Sequence, residues 1–389
     1  MTRVLPERLT RNAVHVLPEG ELERKLALGR PLRVKLGIDV TSPDIHLGRG
    51  IPLQRMRAFQ DEGHLGVLII GDYTTRIGDP SGRSAERPIL SDEEIDENAN
   101  TYIEQAFQIV DRARTEVRFN GEWLSRLSFA DVVRLTRTIT VARLLERDDF
   151  ANRYSANEPI SVSELLYPLL QAYDSVAVAA DVELGGTDQL YNLLCGREVM
   201  AAYGLEPQIV ITTPLLLSWD GQKMSSSIGN NIPLTAAPEE QFGRTMRIPD
   251  TLLADWYALL VEAPAPPGDP MEAKLALARF VVARSHGEEA ARAAEAHFTR
   301  VVRRQEAPED VPEVRLASAG EAVYLPQVIV DHMGVASSSE ARRLIQQGGV
   351  RLNGETVSEL ELSPDRLDGA LLQVGKRRFA RVFAAVEAP

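Results

Sequence analysis

The chain holds a single cysteine, Cys195, which excludes an internal disulfide and a cysteine-rich zinc site. Its six histidines show no metal-binding spacing. No apolar run approaches the roughly 20 residues needed to cross a bilayer. Residues 1–12 lack the apolar core of a secretory signal. A reducing, cytoplasmic location and no membrane partner are the expectations. Positive charge is not in excess either. The net charge of −13 speaks against a protein that coats nucleic acid nonspecifically. A local basic surface remains compatible with it, because binding depends on where charge sits. Compositional bias is absent too: 44% hydrophobic and 25% charged residues describe an ordinary globular chain. At 389 residues there is room for two or three domains, each with its own core.

The pattern along the chain predicts an α/β fold. Residues 1–30 read as a short helical lead-in. Residues 32–38 alternate apolar and polar, which predicts a strand, and residues 39–44 have turn chemistry. His46 opens a helical pattern carried by Ile51, Leu53, Met56 and Phe59, and Gly63 stops it. Residues 66–71 read as a buried strand. Strand, turn, helix and strand in this order start a parallel sheet with crossover helices. Such sheets bind ligands beyond the carboxyl ends of their strands, where residues 37–41 and 71–84 would lie. Residues 177–184 and 208–212 are further strand candidates. Helices are predicted over 92–113, capped by Ser91 with acids in the first turn, and over 129–147. Proline-rich residues 263–270 and residues 307–312 read as loops or linkers around a helical block at 271–304, and residues 320–389 form a compact last unit.

Two segments carry chemistry. In His46-Leu47-Gly48-Arg49 a histidine at a helix start can aim its ring at phosphate, and Gly48 leaves space for a flat ring against the backbone. Alone, the segment favours a capping or core histidine. In Lys223-Met224-Ser225-Ser226-Ser227, which follows the Asp220-Gly221 turn, lysine supplies a positive charge for a departing phosphate and the serines supply donors. Alone, that segment reads more readily as a solvated or phosphorylatable loop. Paired in this order on a parallel-sheet pattern, they resemble the HIGH and KMSKS signatures of class I aminoacyl-tRNA synthetases. Between them, in order, lie Gly37-Ile38-Asp39, Gly78-Asp79-Pro80-Ser81-Gly82-Arg83, Leu170-Gln171-Ala172-Tyr173-Asp174 and Gly185-Gly186-Thr187-Asp188-Gln189. This set resembles the bacterial tyrosyl-tRNA synthetases over nearly the whole chain.

The resemblance implies a Rossmann-like catalytic domain (1–232), a helical anticodon-side domain (233–312) and a small α+β RNA-binding domain (320–389). It implies ATP-dependent activation of L-tyrosine and transfer to tRNA(Tyr), by an enzyme that is usually a homodimer. Tyr167, Gln171 and Asp174, spaced four and three apart, share one helical face. By resemblance Tyr167, Gln171 and Asp79 bind the substrate's α-amino group, and Asp174 accepts from the phenol hydroxyl. Asp39 contacts the amino acid or adenylate, Gln189 the substrate carbonyl region, and Gly186 and Asp188 the ribose. Gly37, His46, Gly48, Lys223 and Met224 belong to the ATP site. Arg49, Arg83, Arg87, Lys223 and Ser226 act on the phosphates. No side chain needs to be a nucleophile, because the substrate carboxylate attacks the α-phosphorus. Mg2+ is expected on the phosphates of ATP without dedicated protein ligands.

The last unit is locally basic. Arg342, Arg343, Arg351, Lys376, Arg377 and Arg378 suit an RNA backbone, and the unit resembles the RNA-binding domain that these synthetases share with a ribosomal protein. Several positions depart from the commonest family form. Arg49 replaces histidine, Val40 replaces proline, Pro52 stands on the signature helix, and Ser226 replaces the second lysine of KMSKS. Lys35 stands where many relatives have a tyrosine, within expected reach of Asp174. These departures leave a second reading open, a divergent paralogue that activates tyrosine or an analogue for another acceptor, or an inhibitor-tolerant duplicate. A third is an RNA-binding protein with a decayed catalytic domain.

Overall fold

The run Leu-Gly-Val-Leu-Ile-Ile at Leu65–Ile70 is buried at every position from Gly66 onward. An unbroken apolar strand of this kind belongs in the middle of a sheet covered on both faces. The computed structural model describes residues 7–80, 90–300, 311–316, 322–375 and 378–384. Arg83, Arg87, Lys376 and Arg377 lie outside the described residues. The chain forms two compact units, Met1–Ser285 and His286–Pro389.

The first unit is built on β1 (His15–Leu17), β2 (Arg33–Ile38), β3 (Leu65–Ile70), β4 (Thr115–Phe119), β5 (Val182–Gly186) and β6 (Ile209–Thr213). They form one sheet in the order β1-β6-β5-β2-β3-β4. All neighbours run parallel except β1 and β6. One face packs Val34, Leu36, Leu68, Ile70, Val182, Leu184, Ile209 and Ile211 into the main core. The opposite face buries Val67 and Ile69 against Val178 and Ala180. From β2 the chain winds to β3 and β4, and from β5 it winds the other way to β6. The order therefore reverses between β2 and β5, which pair over only two positions, Val34↔Val182 and Lys35↔Glu183. Beyond that short pairing the strands diverge and leave a crevice.

The seam carries a buried ion pair. Lys35 Nζ lies 2.8 Å from Glu183 Oε1, with both side chains almost inaccessible to water. Lys35 also donates to Ser175 Oγ at 2.7 Å and to the Gln171 carbonyl at 3.0 Å. Glu183 accepts from Ser175 Oγ, Gln171 Nε2 and Gln208 Nε2. The expected partnership of Lys35 with Asp174 is thus replaced by a direct pair with Glu183. Neighbouring strands in register bring those two side chains together, and sequence spacing could not show it.

Helix boundaries also differ from expectation. The predicted helix over 92–113 ends at Ala106, and Asp111 caps a separate 3-10 turn, Arg112–Arg114. Ser91 and Glu94 do form the capping box at its start. The predicted helix over 129–147 divides into Phe129–Thr136 and Val141–Leu144, because Ser128 and Thr140 each cap a new start. The strand expected over 177–184 is two elements. The helix Val162–Val178 runs into it and ends at Ala179 in a left-handed conformation, φ 47°, before β5 begins. The run Val176–Ala180 is apolar throughout and has no period to separate helix from strand. Within the lead-in, His15–Leu17 is a strand and not helix. It edges the sheet beside β6, a long-range pairing that local pattern does not reveal. Pro52 falls in the second turn of the helix Leu47–Asp61, which continues through it without the N–H that would have bonded to the Gly48 carbonyl.

Residues 233–281, expected as part of a separate helical domain, contribute Trp256, Tyr257, Leu259, Leu260, Leu277 and Val281 to the same core as the sheet. Trp256 Nε1 donates to the Leu217 carbonyl at 2.9 Å. The helical stretch Pro270–Phe298 is interrupted at Gly287, φ 86°, next to the division between the two units.

The second unit contains β7 (Glu313–Leu316), β8 (Val323–Tyr324), β9 (Val350–Leu352), β10 (Glu355–Thr356), β11 (Glu361–Leu362), β12 (Ala370–Val374) and β13 (Arg378–Ala384). Five of them form a sheet in the order β10-β9-β12-β13-β7, while β11 pairs with β8. Helices Leu325–Met333 and Ser338–Gln346 cover its core through Val328, Ile329, Ala341 and Ile345.

Removing one partner of a buried pair leaves an uncompensated charge and costs several kcal/mol. Lys35→Met should lower unfolding free energy by about 3 kcal/mol in urea titrations. Lys35→Met with Glu183→Gln should recover most of that loss. Equal destabilisation by the single and double variants would exclude the pair as the reason.

Candidate active site

A cavity of about 960 Å3 opens where β2 and β5 diverge, lined by their terminal residues Leu36–Asp39 and Leu184–Gly186 together with Tyr167, Gln171, Asp174 and Lys223. Tyr167, Gln171 and Asp174 reach it from the helix Val162–Val178. Their spacing of four and three does place all of them on one wall. Lys35 does not line the cavity; it lies behind the wall, paired with Glu183.

One part of the wall is acidic and polar. Asp174 is 3% exposed and accepts from Trp123 Nε1 at 2.8 Å and Asn120 Nδ2 at 3.3 Å. Burial pushes its carboxyl up to about 7, against the opposing pull of the Lys35 charge and those two hydrogen bonds. Asp39, at the end of β2, accepts from Thr74 Oγ1 at 2.7 Å and from the Tyr167 hydroxyl at 3.0 Å. Gly71 keeps that contact possible, since a Cβ there would lie 2.3 Å from Asp39 Oδ1. Gln171 donates to Glu183 at 3.3 Å, while its Oε1 is buried and meets no donor. Asp79 accepts from Gln189 Nε2 at 2.8 Å and lies 3.7 Å from Arg147.

The other part is formed by the two signature segments. His46 is the N-cap of the helix Leu47–Asp61, and its Nδ1 accepts from the Arg49 backbone N–H at 3.3 Å. Capping and ligand-facing roles, alternatives on sequence grounds, are therefore both open to one ring, which presents Nε2 as its remaining donor. Burial, then the charges of Arg49 and Lys223, push the imidazole down to about 3. The ring is neutral near pH 7 and can act by hydrogen bonding, not as a cation. Gly48 makes room for the ring itself, because a Cβ there would sit 3.2 Å from His46 Cε1 and Nδ1. Arg49 places its guanidinium 5.9 Å from the Tyr102 ring centre, and its Nη1 is buried without an acceptor in good geometry among the described residues.

Lys223 forms an ion pair with Asp188. Its segment is held by Asn230, which accepts from Ser225 N–H at 2.8 Å and donates to Asp220 at 2.9 Å and to the Lys223 carbonyl at 3.2 Å. Ser226 Oγ accepts from Asn231 at 3.2 Å. Gly186 is required by close packing, since a Cβ would meet Asp188 Oδ1 at 2.6 Å and Leu215 at 2.8 Å. Met224 and Gly37 also line the cavity. Among the described residues no group of three His, Cys, Asp or Glu is placed to hold a metal ion.

Sequence reasoning missed Thr74, Asn120, Trp123, Asn192 and Arg147. Alternation at Thr115–Phe119 followed by Asn120-Gly121 was a readable strand-and-turn signal for Asn120 and Trp123. In the second unit Arg342 and Arg343 are exposed on the helix Ser338–Gln346, and Arg351 and Arg378 are exposed on β9 and β13. Register sets Arg351 opposite Gln373 and Arg378 opposite Val374, so these two arginines point to different faces of the sheet.

The depressed His46 pKa links stability to pH. A group with a folded value below its unfolded value contributes stability above the unfolded value and loses it as pH falls towards the folded one. Between about pH 5.5 and 4 the wild type should lose stability about 1.4 kcal/mol per pH unit more steeply than His46→Gln. Parallel slopes in denaturant titrations would show that His46 does not titrate this way.

Residues 27–303 match the family model described as tRNA synthetases class I (W and Y), and residues 325–361 match the S4 domain. A tyrosine–tRNA ligase of Thermotoga maritima is 48% identical over 387 residues, covering 96% of each chain. One of Moorella thermoacetica is 46% identical, covering 96% of this chain and 94% of the relative. Among solved structures, the tyrosyl-tRNA synthetase of Archaeoglobus fulgidus complexed with L-tyrosine superposes with a TM-score of 0.61 at 25% identity, covering 74% of this chain and 98% of that one. A truncated mitochondrial tyrosyl-tRNA synthetase of Aspergillus nidulans shares the fold, with a TM-score of 0.61 at 22% identity over 75% of this chain and 92% of that one. With the paired signature segments meeting at one cavity at the strand-order reversal, the chain belongs to the class I tRNA synthetases of the tryptophan and tyrosine group.

Proposed function

We propose that the protein activates L-tyrosine with ATP and transfers it to tRNA(Tyr). The observation that carries the choice of amino acid is Asp174, a buried carboxylate on the cavity wall held by Asn120 and Trp123. A phenol hydroxyl gives this acceptor a donor, whereas a phenyl ring would leave it buried and unpaired. Near-full-length similarity to tyrosine–tRNA ligases supports the same reading.

In this reading the substrate ammonium donates to Asp79, Tyr167 and the unsatisfied Gln171 Oε1. Asp39 orients the amino acid through Tyr167, and Gln189 meets its carbonyl region. Ribose lies against Gly186 and Asp188. Arg49, Lys223 and Ser226 face the phosphates, with Arg83 and Arg87 as further cationic contacts, and Gly37, Gly48 and Met224 border the nucleotide. His46 contributes a neutral Nε2–H donor. The substrate carboxylate attacks the α-phosphorus, tyrosyl-adenylate forms, and pyrophosphate leaves with its growing charge matched by these cations. A tRNA ribose hydroxyl then takes the tyrosyl group and AMP departs. Mg2+ would arrive with ATP, held by the substrate's phosphates; Arg49 and Lys223 are cations and would not ligate it. To bind ATP, Lys223 exchanges Asp188 for phosphate.

The exposed basic residues Arg342, Arg343, Arg351 and Arg378, with Lys376 and Arg377, serve the RNA backbone. A homodimer is supported by large apolar side chains concentrated in one stretch. Phe129 is 83% exposed, Val141 60%, Tyr154 67% and Val162 74%. Exposed apolar side chains such as these are what a partner surface would cover. No helix among the described residues is long and apolar enough to cross a membrane. The reading places the enzyme in the cytoplasm with its tRNA.

Tyrosine-dependent ATP–pyrophosphate exchange is the primary test, and its absence from folded protein defeats the proposal. Arg49→Ala should raise the KM for ATP about 10-fold, the loss of one charge-assisted contact, with little change in the KM for tyrosine. The Asp174 carboxyl is raised to about 7, so it is largely neutral below that pH. Tyrosine affinity should therefore strengthen as pH rises through about 7, because the ionised carboxylate is the better acceptor. Asp174→Asn should flatten that step in equilibrium dialysis. A wild-type profile already flat from pH 6 to 8 would show that Asp174 does not change charge there.

A further inference from the structure

Asp79 sits in a segment without regular structure, just after Gly78 at φ 82°. No helix or strand aims its carboxylate, so its partners must. Among the described residues, four side chains close a ring here. Arg147 Nη2 lies 3.7 Å from Asp79 Oδ1, and Arg147 Nη1 donates to Asn192 Oδ1 at 3.1 Å. Asn192 Nδ2 donates to Gln189 Oε1 at 3.0 Å, and Gln189 Nε2 donates to Asp79 Oδ2 at 2.8 Å. Asp79 and Gln189 line the cavity, whereas Arg147 and Asn192 stand behind them. Arg147 is 6% exposed and is itself held by Asp149, 2.8 Å from its Nε.

We propose that Arg147 is a positioning residue that holds the Asp79 carboxylate of the ammonium site in place by closing this ring. The inference rests on the reading that Asp79 receives the substrate's α-ammonium. Guanidinium can only donate, and carboxylate can only accept. Between those two fixed ends stand two amides, each able to present either its oxygen or its nitrogen. Arg147 forces Asn192 to turn its oxygen outward and its NH2 towards Gln189. Gln189 must then offer its oxygen to Asn192 and its NH2 to Asp79. Without Arg147 the carboxylate still selects the NH2 of Gln189, but the ring opens: Asp79 Oδ1 loses its cation and Asn192 loses the donor that fixes its oxygen. The carboxylate can then turn about its hydrogen bond to Gln189 and move its acceptor away from the ammonium. The ring thus holds the carboxylate in place before substrate arrives, which avoids reorganisation on binding.

The test measures inhibition constants against tyrosine in ATP–pyrophosphate exchange for two matched probes. Tyramine carries the phenol and an ammonium; 4-ethylphenol carries the phenol alone. Arg147→Met should weaken tyramine about 10-fold and leave 4-ethylphenol unchanged, a coupling in the usual range for residues sharing one network. Because Asp149 loses its partner in that variant and folding could suffer, Asn192→Ala provides a second cut through the same ring with both ion pairs intact. It should show the same selective loss. Equal weakening of both probes in both variants would mean a merely structural role and overturn the proposal. Unchanged tyramine binding in both would also overturn it. Asp79→Asn in the same assay separates the two levels. Weaker tyramine binding there, with Arg147→Met and Asn192→Ala silent, defeats only the role of Arg147. Unchanged tyramine binding in Asp79→Asn defeats the ammonium-site reading itself.

Discussion

The two-residue pairing of β2 with β5 is the constraint on which the site depends. Val34↔Val182 and Lys35↔Glu183 hold the strands together at the base, and above them the strands part. Chain segments leaving β2 and β5 turn to opposite sides, so the gap between them has nothing to fill it. Lys35 and Glu183 are fully buried there, and Ser175, Gln171 and Gln208 satisfy them. Because Gln171 is tied to Glu183 by its NH2, its oxygen is left buried without a donor. The ion pair therefore closes the seam and fixes the orientation of a cavity-lining amide at the same time.

The two parts of the cavity solve different electrostatic problems. Asp174, Asp39 and Asp79 gather negative charge where an amino acid's ammonium and phenol would sit. Each is held by neighbours: Asn120 and Trp123, Thr74 and Tyr167, Gln189 and Arg147. The part formed by the two signature segments instead offers Arg49 and Lys223, with a neutral His46 between backbone cap and cavity. Its neutrality follows first from burial and then from those same cations, both of which disfavour a further positive charge. The departures at Arg49 and Ser226 each keep a hydrogen-bond donor, but Ser226 lacks the positive charge of a lysine; its Oγ accepts from Asn231.

Much of this was legible in the chain itself. The strands around residues 33–38 and 65–70, the capped helix at Ser91, the helix face bearing Tyr167, Gln171 and Asp174, and the order of the glycine-rich turns all follow from local periodicity and turn chemistry. Boundaries failed where the pattern was uniformly apolar, as across residues 176–180, or where a second cap restarted a helix, as at Thr140. Short β1 was invisible because its only support is a distant strand.

Sequence by itself determined the class of chemistry: which turns carry glycine, where a movable cation and a helix-starting histidine fall, and which carboxylates share a face. Those are properties of residue type and local period. Only tertiary structure decided that Lys35 serves Glu183 and not Asp174. It also decided that Gly48 makes space for the His46 ring, and that Arg147 and Asn192 stand behind Asp79 and Gln189. Each of these depends on strand register or on side chains meeting from separate elements. Hydrogen-bond direction and charge pairing act over about 3 Å in space, a distance that separation along the chain does not encode.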